Sequence, residues 1–233
     1  MPAAIQRALV SDQVFRLLSE QILSGRYESG EKLPTQRALA ADLAVNMASI
    51  REAVKRLEQL GLVEVRHGDA MRVRDWRSDG GLDVVAHLIF AAGGVDRPTL
   101  AAVLEARRLM LTEAARLAAT RRGDDQARRL RELALQIAEA PDAQTAQLLD
   151  LAFIAELVEA SDNVVFVLVL NTVRRLYLDH AELLRAVVAD RGELAPLYAR
   201  AAKAIGERVE DRAAGSIAEL AAVQERRILE SLA

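Results

Sequence analysis

The amino-acid sequence predicts a mainly α-helical fold with two domains, and three observations lead to this prediction. Hydrophobic residues make up 52% of the 233 residues but aromatic residues only 3%, a balance typical of Ala- and Leu-rich helices packed on one another. Apolar residues recur with helical spacing along most of the chain. The alternating pattern of a β-hairpin lies just before a Gly-, Ser- and Asp-rich stretch at residues 75–83, which indicates a domain boundary.

Three short helical patterns and a hairpin pattern follow one another in residues 1–76. The helices lie within "SDQVFRLLSEQILSG", with Ser11 as a candidate cap, "TQRALAADLAV" and "ASIREAVKRLEQLG". The strands "LVEV" and "MRVR" alternate apolar and polar residues on either side of "RHGDA". Two helices joined by a tight turn and followed by a hairpin are the order of a winged helix-turn-helix domain, which binds DNA.

The third helix opens with "VNMASIR", whose side chains are small or short until Arg51. In a winged helix-turn-helix domain this end of the helix enters the major groove, where small side chains allow a close approach to the bases. Arg51 can bind a guanine through two hydrogen bonds, and Met47 can contact a thymine methyl group. Asn46 and Ser49 can hydrogen-bond to bases or phosphates. In the alternative reading, which the hairpin makes less favourable, Asn46 only caps the helix and Arg51 is solvated.

The residues beyond the boundary are predicted to form a bundle of helices. We place the DNA-binding domain at residues 1–76, the linker at 77–83 and a helical regulatory domain at 84–233. The segment "VVFVLVLN" is apolar on all faces, which predicts that this helix is buried at the centre of the bundle.

Composition excludes several classes of protein. The chain has no cysteine, which excludes disulfides and a cysteine nucleophile and suits a cytoplasmic protein. Its apolar runs fall well short of the about 20 residues of a membrane span. The sequence contains no Gly-rich phosphate loop, no nucleophile elbow and no helical Glu-x-x-His pair. It therefore has none of these motifs to indicate an enzyme or a cofactor. Residues 1–76 hold 11 basic and 10 acidic residues, so any basic surface for nucleic acid must be local.

The segment "ILSGRYESGEKLPTQRALAADLAVNMASIREAVKRLEQLGLVEVRHG" resembles the DNA-binding domain of the GntR family of bacterial transcriptional regulators. The likeness rests on Lys-Leu-Pro, Leu-Ala, Arg-Glu-Ala, Arg-Leu, Gly-Leu and His-Gly at matching places. It implies DNA contacts by Arg37, Arg51 and the wing residues His67 and Gly68. Arg66, beside the wing tip, is a candidate to contact a phosphate. Met47 stands where FadR-like members carry an arginine between two hydroxyl residues, so the operator cannot be transferred from those relatives.

The segments "LEARRLMLTEAARLAATR" and "LDLAFIAELVEASDN" are similar to the all-helical effector domain of the FadR subfamily. Many of its members hold a divalent metal ion with an aspartate, a histidine four residues later and two further histidines. The matching positions here are Asp150, Ile154, Tyr198 and about Leu220. We therefore predict that this chain lacks the metal site.

A chain without these metal ligands resembles the fatty-acid-responsive branch, in which a long-chain acyl-CoA in the effector domain releases the DNA. "LVLNTVRRLYLDH" is similar to the corresponding helix, and Tyr177 is the candidate to hydrogen-bond the acyl carbonyl group. Ala222, Glu225 and Leu229 stand near where those relatives contact CoA, which leaves a free fatty acid open. The resemblance implies an effector-binding set whose members are equally able to act as buried structural partners: Arg107, Asp150, Asn171, Arg175, Tyr177 and Tyr198.

These observations predict a homodimeric repressor of fatty-acid metabolism that binds a palindromic operator and is released by a long-chain acyl-CoA or fatty acid. No metal ion, cofactor or membrane partner is expected. Two alternatives stay open. One is a GntR regulator that responds to a small organic acid or another metabolite, and the other is an interaction module that no longer binds DNA.

Overall fold

The computed structural model describes residues 2–66, 70–90, 94–179, 188 and 191–232. The described residues are mainly helical, with one small antiparallel sheet, and this confirms the predicted fold class. The chain forms two compact units, residues 1–99 and 100–233.

The first unit is built on three helices, α1 (Pro2–Leu23), α2 (Gln36–Asp42) and α3 (Met47–Gln59). Helix α1 begins well before Ser11, so that residue lies inside the helix and the predicted cap is wrong. The side chain of Thr35 caps α2 by accepting a 3.2 Å hydrogen bond from the Ala38 N–H group. Between α2 and α3 the chain turns through Ala44, whose φ of 52° lies in the left-handed region that L-residues rarely adopt.

The sheet has three strands, β1 (Lys32–Leu33), β2 (Val63–Arg66) and β3 (Ala70–Val73), in the order β1-β3-β2. The pairing of β2 with β3 is the predicted hairpin, and β1 is an addition that the sequence did not indicate. Leu33 of β1 pairs with Met71 of β3, and both side chains are buried in the core. Most of the other apolar side chains in that core come from α1 and α3, among them Phe15, Ile50 and Leu57.

Gly61, which lies between α3 and β2, is in close contact with the segment that follows the sheet. Gly61 has a φ of 70°, and a Cβ atom added to it would lie 2.6 Å from the carbonyl oxygen of Asp79. Asp79 ends α4 (Trp76–Asp79), a four-residue helix that begins just before the predicted linker at 77–83 and ends within it. Only glycine allows both this backbone conformation and this approach. The half-buried Trp76 packs against the core of the first unit, with the Arg77 guanidinium 4.2 Å from the centre of its ring.

Helix α5 (Val84–Ile89) also packs within the first unit. Val84 belongs to the core of α1, α3 and the sheet, and the ring of His87 meets the ring of Phe15 edge-on, with centroids 5.2 Å apart. The guanidinium of Arg56 on α3 lies over the Phe15 ring, 4.1 Å from its centroid. The domain bounds of 1–76, 77–83 and 84–233 stay a prediction, to which the structure adds the position of α5.

Six helices are described in the rest of the chain. Ala, Leu, Ile and Val side chains from them form one continuous buried core. Apart from the residues outside the described ranges, the helices are α6 (Arg97–Arg121), α7 (Asp124–Glu139), α8 (Ala143–Ala160), α9 (Val164–Asp179), α10 (Arg191–Gly206) and α11 (Glu210–Glu230).

Two arginines, each of which follows one helix, cap the C-terminal end of the other helix. Arg122 follows α6 and donates to the carbonyl oxygens of Ile205 (3.3 Å) and Gly206 (2.6 Å), where α10 ends. Arg208 follows α10 and donates to the carbonyl oxygens of Thr120 (2.7 Å) and Arg122 (3.1 Å), where α6 ends. Each guanidinium thus satisfies carbonyl groups that have no partner within their own helix and opposes the negative end of the helix dipole.

The prediction that the apolar first half of α9 is buried at the centre of the bundle is wrong. Phe166, Val167 and Leu170 do pack against the core, but Val164 is 69% exposed and Leu168 is 61% exposed. Helix α9 therefore lies at the surface of the bundle and presents apolar side chains outward. Among the described residues, no helix is long and apolar enough to cross a membrane.

Candidate DNA interface and effector site

The tip of α3 is organised by Asn46. Its Oδ1 atom accepts a 2.9 Å hydrogen bond from the Ser49 N–H group, and its extended backbone is that of a helix N-cap. The capping role that the sequence left as an alternative is therefore present. Because Oδ1 is occupied, the amide nitrogen of the exposed Asn46 side chain is the group that can donate to DNA.

The predicted contacts on the helix-turn-helix differ in exposure. Arg37 on α2 and Arg51 on α3 are exposed, and Met47 is half-buried. Ser49 is only 3% exposed, and its Oγ atom has no hydrogen-bond partner in the described part of the chain. Its side chain faces the core because it lies on the same side of α3 as Ala53, so the structure does not support Ser49 as a base contact.

The structure describes the wing up to Arg66 and again from Ala70. The exposed side chain of Arg66 forms an ion pair with Glu64, with an N–O distance of 3.0 Å. An ion pair between exposed side chains contributes at most about 1 kcal/mol, so a DNA phosphate can replace Glu64. His67 and Gly68, the predicted tip, lie outside the described residues.

Lys55 is a candidate that the sequence reading missed. It is exposed on α3, one helical turn beyond Arg51, and no ion pair is recorded for it within the described ranges. Residues four apart lie on the same face of a helix, so Lys55 extends the basic face that Arg51 begins. The spacing of four residues between Arg51 and Lys55 is visible in the sequence and is the signal that could have identified Lys55.

A buried hydrogen-bond network lies in the helical unit, and we call its three members the polar centre: Asp150, Tyr198 and Gln224. The Tyr198 hydroxyl donates to Asp150 Oδ1 at 2.5 Å, and Gln224 Nε2 donates to the same oxygen at 3.0 Å. Gln224 Nε2 also lies 2.9 Å from the Tyr198 oxygen. All three side chains are at most 1% exposed, so water does not compete for these bonds.

The polar centre has one apolar wall and one cationic neighbour. The Phe153 ring meets the Tyr198 ring edge-on with centroids 5.0 Å apart. On the other side, Arg107 Nη2 donates a 2.9 Å hydrogen bond to Gln224 Oε1. Arg107 is half-buried, so it connects the buried network to the surface. The guanidinium of Arg107 can therefore pair with a carboxylate that approaches from the surface.

The residues at the family's metal positions do not fit a metal ion. Only Asp150 offers a carboxylate, since Ile154 and Leu220 have no donor atom and the Tyr198 hydroxyl is engaged with Asp150. Within the described ranges, no group of three or more histidine, cysteine or acidic side chains could hold a metal ion. A hydrogen-bond network that includes two of the four positions, Asp150 and Tyr198, is present in place of a coordination sphere.

The predicted effector residues are only partly brought together. Arg107, Asp150 and Tyr198 meet through Gln224, which the sequence reading did not single out. Asn171 is exposed and lines a cleft of about 100 Å³ between α8 and α9, apart from the polar centre. The side chains of Arg175 and Tyr177 on α9 lie outside the described residues. A glutamine in the apolar stripe of α11, four residues after Leu220, was the signal that could have found Gln224.

A winged helix-turn-helix with an exposed basic helix tip, joined in one chain to a helical unit, is the arrangement of a DNA-binding transcriptional regulator. Residues 10–73 match the model of the bacterial regulatory proteins of the gntR family, and residues 102–222 match the FCD domain. The chain belongs to the GntR family and carries an FCD domain. Regulators of this family bind DNA operators, typically as dimers, take a small-molecule effector in the FCD domain and are not enzymes.

Two relatives and one solved structure illustrate the similarity. The transcriptional regulator Mce2R of Mycobacterium tuberculosis is 37% identical over 175 residues, which are 74% of this chain and 72% of that protein. The fatty acid metabolism regulator protein of Erwinia tasmaniensis is 26% identical over 161 residues, 68% of this chain and 65% of that protein. Streptococcus agalactiae GntR superposes with a TM-score of 0.50 and 26% identity, covering 94% of this chain and 99% of that chain. The GntR assignment is confirmed, whereas the FadR subfamily stays a prediction.

Proposed function

We propose that the chain is a cytoplasmic repressor that binds a palindromic operator as a homodimer and is released by a carboxylic acid bound in the FCD domain. The first candidate for this effector is a long-chain fatty acid or its acyl-CoA, as in the fatty-acid-responsive branch of the FadR subfamily. The observation that carries the proposal is the polar centre with Arg107 at its edge, in place of a metal site.

The DNA-binding step rests on exposed cations around the tip of α3. Arg51 is placed to read a base, and Arg37 and Lys55 to bind phosphates on either side of it. Met47 contributes an apolar contact where an arginine would select guanine, so the preferred half-site differs from that of FadR-like relatives. The amide nitrogen of Asn46 supplies one further donor, and Arg66, His67 and Gly68 of the wing contact the adjacent backbone.

The effector step rests on the chemistry around Gln224. A ligand carboxylate pairs with Arg107 and displaces its hydrogen bond to Gln224, while the ligand's apolar part lies against Phe153 and Tyr198. Tyr177, Asn171 and Arg175 of α9 are further candidates for contact with an acyl group. A fatty acid is favoured by the apolar side chains packed around the polar centre and by the likeness to the fatty acid metabolism regulator protein.

A small organic acid is the second candidate, and one observation favours it. The polar centre and Arg107 together offer more hydrogen-bonding groups than the single head group of a fatty acid requires. In either case, the ligand lowers the affinity for DNA only to the extent that it binds the DNA-free state of the protein more tightly than the DNA-bound state.

The DNA-binding step is tested by selecting duplexes from a random library with the full-length chain. We expect a palindromic consensus, and a loss of affinity for it of about 10- to 100-fold in Arg51→Ala, the cost of one bidentate base contact. Arg129→Ala, which removes an exposed arginine of α7, is the control and retains full affinity. If no sequence is enriched by a folded protein, the chain is an interaction module and not an operator-binding regulator.

The effector step is tested by thermal unfolding of the delipidated protein. The panel comprises fatty acids, acyl-CoAs and small carboxylates, each with and without zinc. A ligand at 100 times its dissociation constant stabilises the folded state by about 2.7 kcal/mol, which a melt detects. We expect stabilisation by carboxylates without zinc, lost in Arg107→Gln but kept in the neighbouring Arg108→Gln, since Arg108 pairs with Glu225 at the surface. Stabilisation that requires zinc would overturn the metal-free proposal.

A further inference from the structure

Two neighbouring arginines of α6 meet two neighbouring residues of α11 in chemically different ways. Arg107 Nη2 donates a 2.9 Å hydrogen bond to the side-chain oxygen Oε1 of Gln224, which is an uncharged acceptor. Arg108 Nε lies 3.2 Å from a carboxylate oxygen of Glu225, with which it forms an ion pair. Among the described residues, a carboxylate thus neutralises the charge of Arg108 but not that of Arg107.

The hydrogen bonds of Gln224 fix which way round its amide lies. Its Nε2 atom donates to Asp150 Oδ1 at 3.0 Å. The Tyr198 hydroxyl donates to the same oxygen, so its own oxygen can accept from Nε2, which lies 2.9 Å away. The donor end of the amide therefore faces Asp150 and Tyr198, and only its acceptor end is left for Arg107.

Gln224 separates an acidic group from a basic one. Asp150 is 1% exposed on one side of it, and the half-buried Arg107 lies on the other. A carboxylate at position 224, like the one at position 225, would neutralise Arg107 and meet the carboxyl group of Asp150 at hydrogen-bond distance. A cationic side chain would repel Arg107. An amide is uncharged and has both a donor and an acceptor, so it satisfies both neighbours.

We propose that Gln224 is a positioning residue that holds the guanidinium of Arg107 in place without neutralising its charge, and so keeps Arg107 available to a ligand carboxylate. A ligand carboxylate can displace an amide oxygen, because it is charged and can accept two hydrogen bonds from the guanidinium fork. It could not as readily displace a carboxylate that belongs to the protein. The inference rests on the proposed carboxylate effector and names the residue that makes Arg107 available to it.

The test replaces the amide by a carboxyl group of the same shape, in Gln224→Glu. Binding of decanoate to the delipidated full-length protein is measured by calorimetry from about pH 6 to about pH 9. Two carboxyl groups in contact share a proton at the lower pH, so residue 224 stays uncharged there and we expect affinity close to that of the wild type. As the pH rises, the added carboxyl group ionises and pairs with Arg107, and we expect the affinity to fall about 10-fold relative to the wild type.

Glu225→Gln is the matched control, because it makes the opposite exchange at the next residue and releases Arg108 instead. We expect it to keep the wild-type pH profile, which accounts for any effect of pH on decanoate or on other groups. Circular dichroism establishes that both variants are folded. If Gln224 acts only in packing, its replacement changes the affinity equally at every pH. A folded Gln224→Glu protein with the wild-type profile would therefore overturn the inference.

A second measurement needs neither a ligand nor a folded Gln224→Glu variant. Phenylglyoxal modifies accessible arginines and reacts more slowly with those that pair with a carboxylate. Arg107 and Arg108 are both half-buried, so their exposure is comparable. Peptide mapping of the wild type by mass spectrometry should show faster modification of Arg107 than of Arg108, and Glu225→Gln should remove the difference.

The two proposals fail in different ways. If Arg107 of the wild type reacts no faster than Arg108, its charge is not available and the inference is wrong, whatever the protein binds. If Arg107 reacts faster but no carboxylate binds, the proposed effector is wrong and the role of Gln224 in keeping the charge of Arg107 available stands.

Discussion

The two units of the chain bury polar groups in opposite ways. Among the described residues, the buried polar side chains of residues 1–99 are serines, and one of them, Ser49, leaves its hydroxyl unpaired. The helical unit buries a carboxylate, a tyrosine hydroxyl and a glutamine amide that bond one another. The DNA-binding unit is thus an apolar scaffold whose chemistry lies outside, where DNA can reach it. The helical unit keeps polar chemistry inside, where a ligand must be separated from water.

The largest test of this comparison removes the shared acceptor of the polar centre. Asp150→Ala leaves the Tyr198 hydroxyl and the Gln224 amide buried without their partner and opens a small cavity, so we expect a loss of about 3 kcal/mol in the free energy of unfolding. Urea denaturation followed by circular dichroism measures it. Asp150→Asn, which keeps an acceptor oxygen, is expected to lose less. Equal stability of Asp150→Ala and the wild type would contradict a structural role for the network.

The second test addresses the scaffold of the first unit. Gly61→Ala forces an L-residue into a φ of 70° and places a methyl group 2.6 Å from the Asp79 carbonyl oxygen, so about 2 kcal/mol or more is expected to be lost. Gly25→Ala is the matched control, because its φ of 79° is similar but no atom lies within 4 Å of the added methyl group. We expect about 1 kcal/mol for the control. If denaturation gives the same loss for both, the contact with Asp79 contributes nothing.

The third test concerns the unpaired hydroxyl. Ser49→Ala removes a buried oxygen without a partner and leaves the Asn46 cap intact, since that cap uses the backbone N–H group. We expect a gain of about 1 kcal/mol in stability and unchanged affinity for the selected operator. Weaker operator binding by the folded variant would restore Ser49 as a DNA contact and require α3 to adjust on binding.

The smallest effect is a pH dependence centred on His87. Burial lowers the pKa of His87 below 6.5, the positive charge of Arg56 lowers it further, and Asp83 partly opposes these effects. Between the folded-state pKa and 6.5, the unfolded chain binds a proton that the folded one does not, so stability falls as the pH falls through this window. Melts from about pH 7.5 to about pH 5.5 should show this decrease in the wild type and less of it in His87→Gln. An identical dependence in both proteins would assign the effect to other groups.

The sequence predicts the first unit better than the second because its signals are local. The helix period, the Asn46 cap position and the alternation of the hairpin each lie within a few residues of one another. The strand Lys32–Leu33 was not predictable in this way, because two residues carry no period and its partner lies some 40 positions away. The burial of Ser49 could not be predicted for a related reason, since only the packing of α3 decides which side of the helix tip faces the core.

The polar centre joins residues that are 26 to 74 positions apart, so no local pattern contains it. The resemblance led to Asp150 and Tyr198, but the alignment of α11 fell on Leu220, one turn short of Gln224. The apolar run of α9 predicts a buried helix, because composition alone does not distinguish a core from an uncovered surface. Only the three-dimensional arrangement separates these two cases.

Arg122 and Arg208 have a consequence for how the helical unit opens. Helix ends normally fray one at a time, and their amide hydrogens exchange rapidly with solvent. Here the last carbonyl groups of α6 and α10 are each held by the arginine that follows the other helix. The two ends can therefore loosen only together, and residues more than 80 positions apart in the sequence should exchange their amide hydrogens as a single cooperative unit.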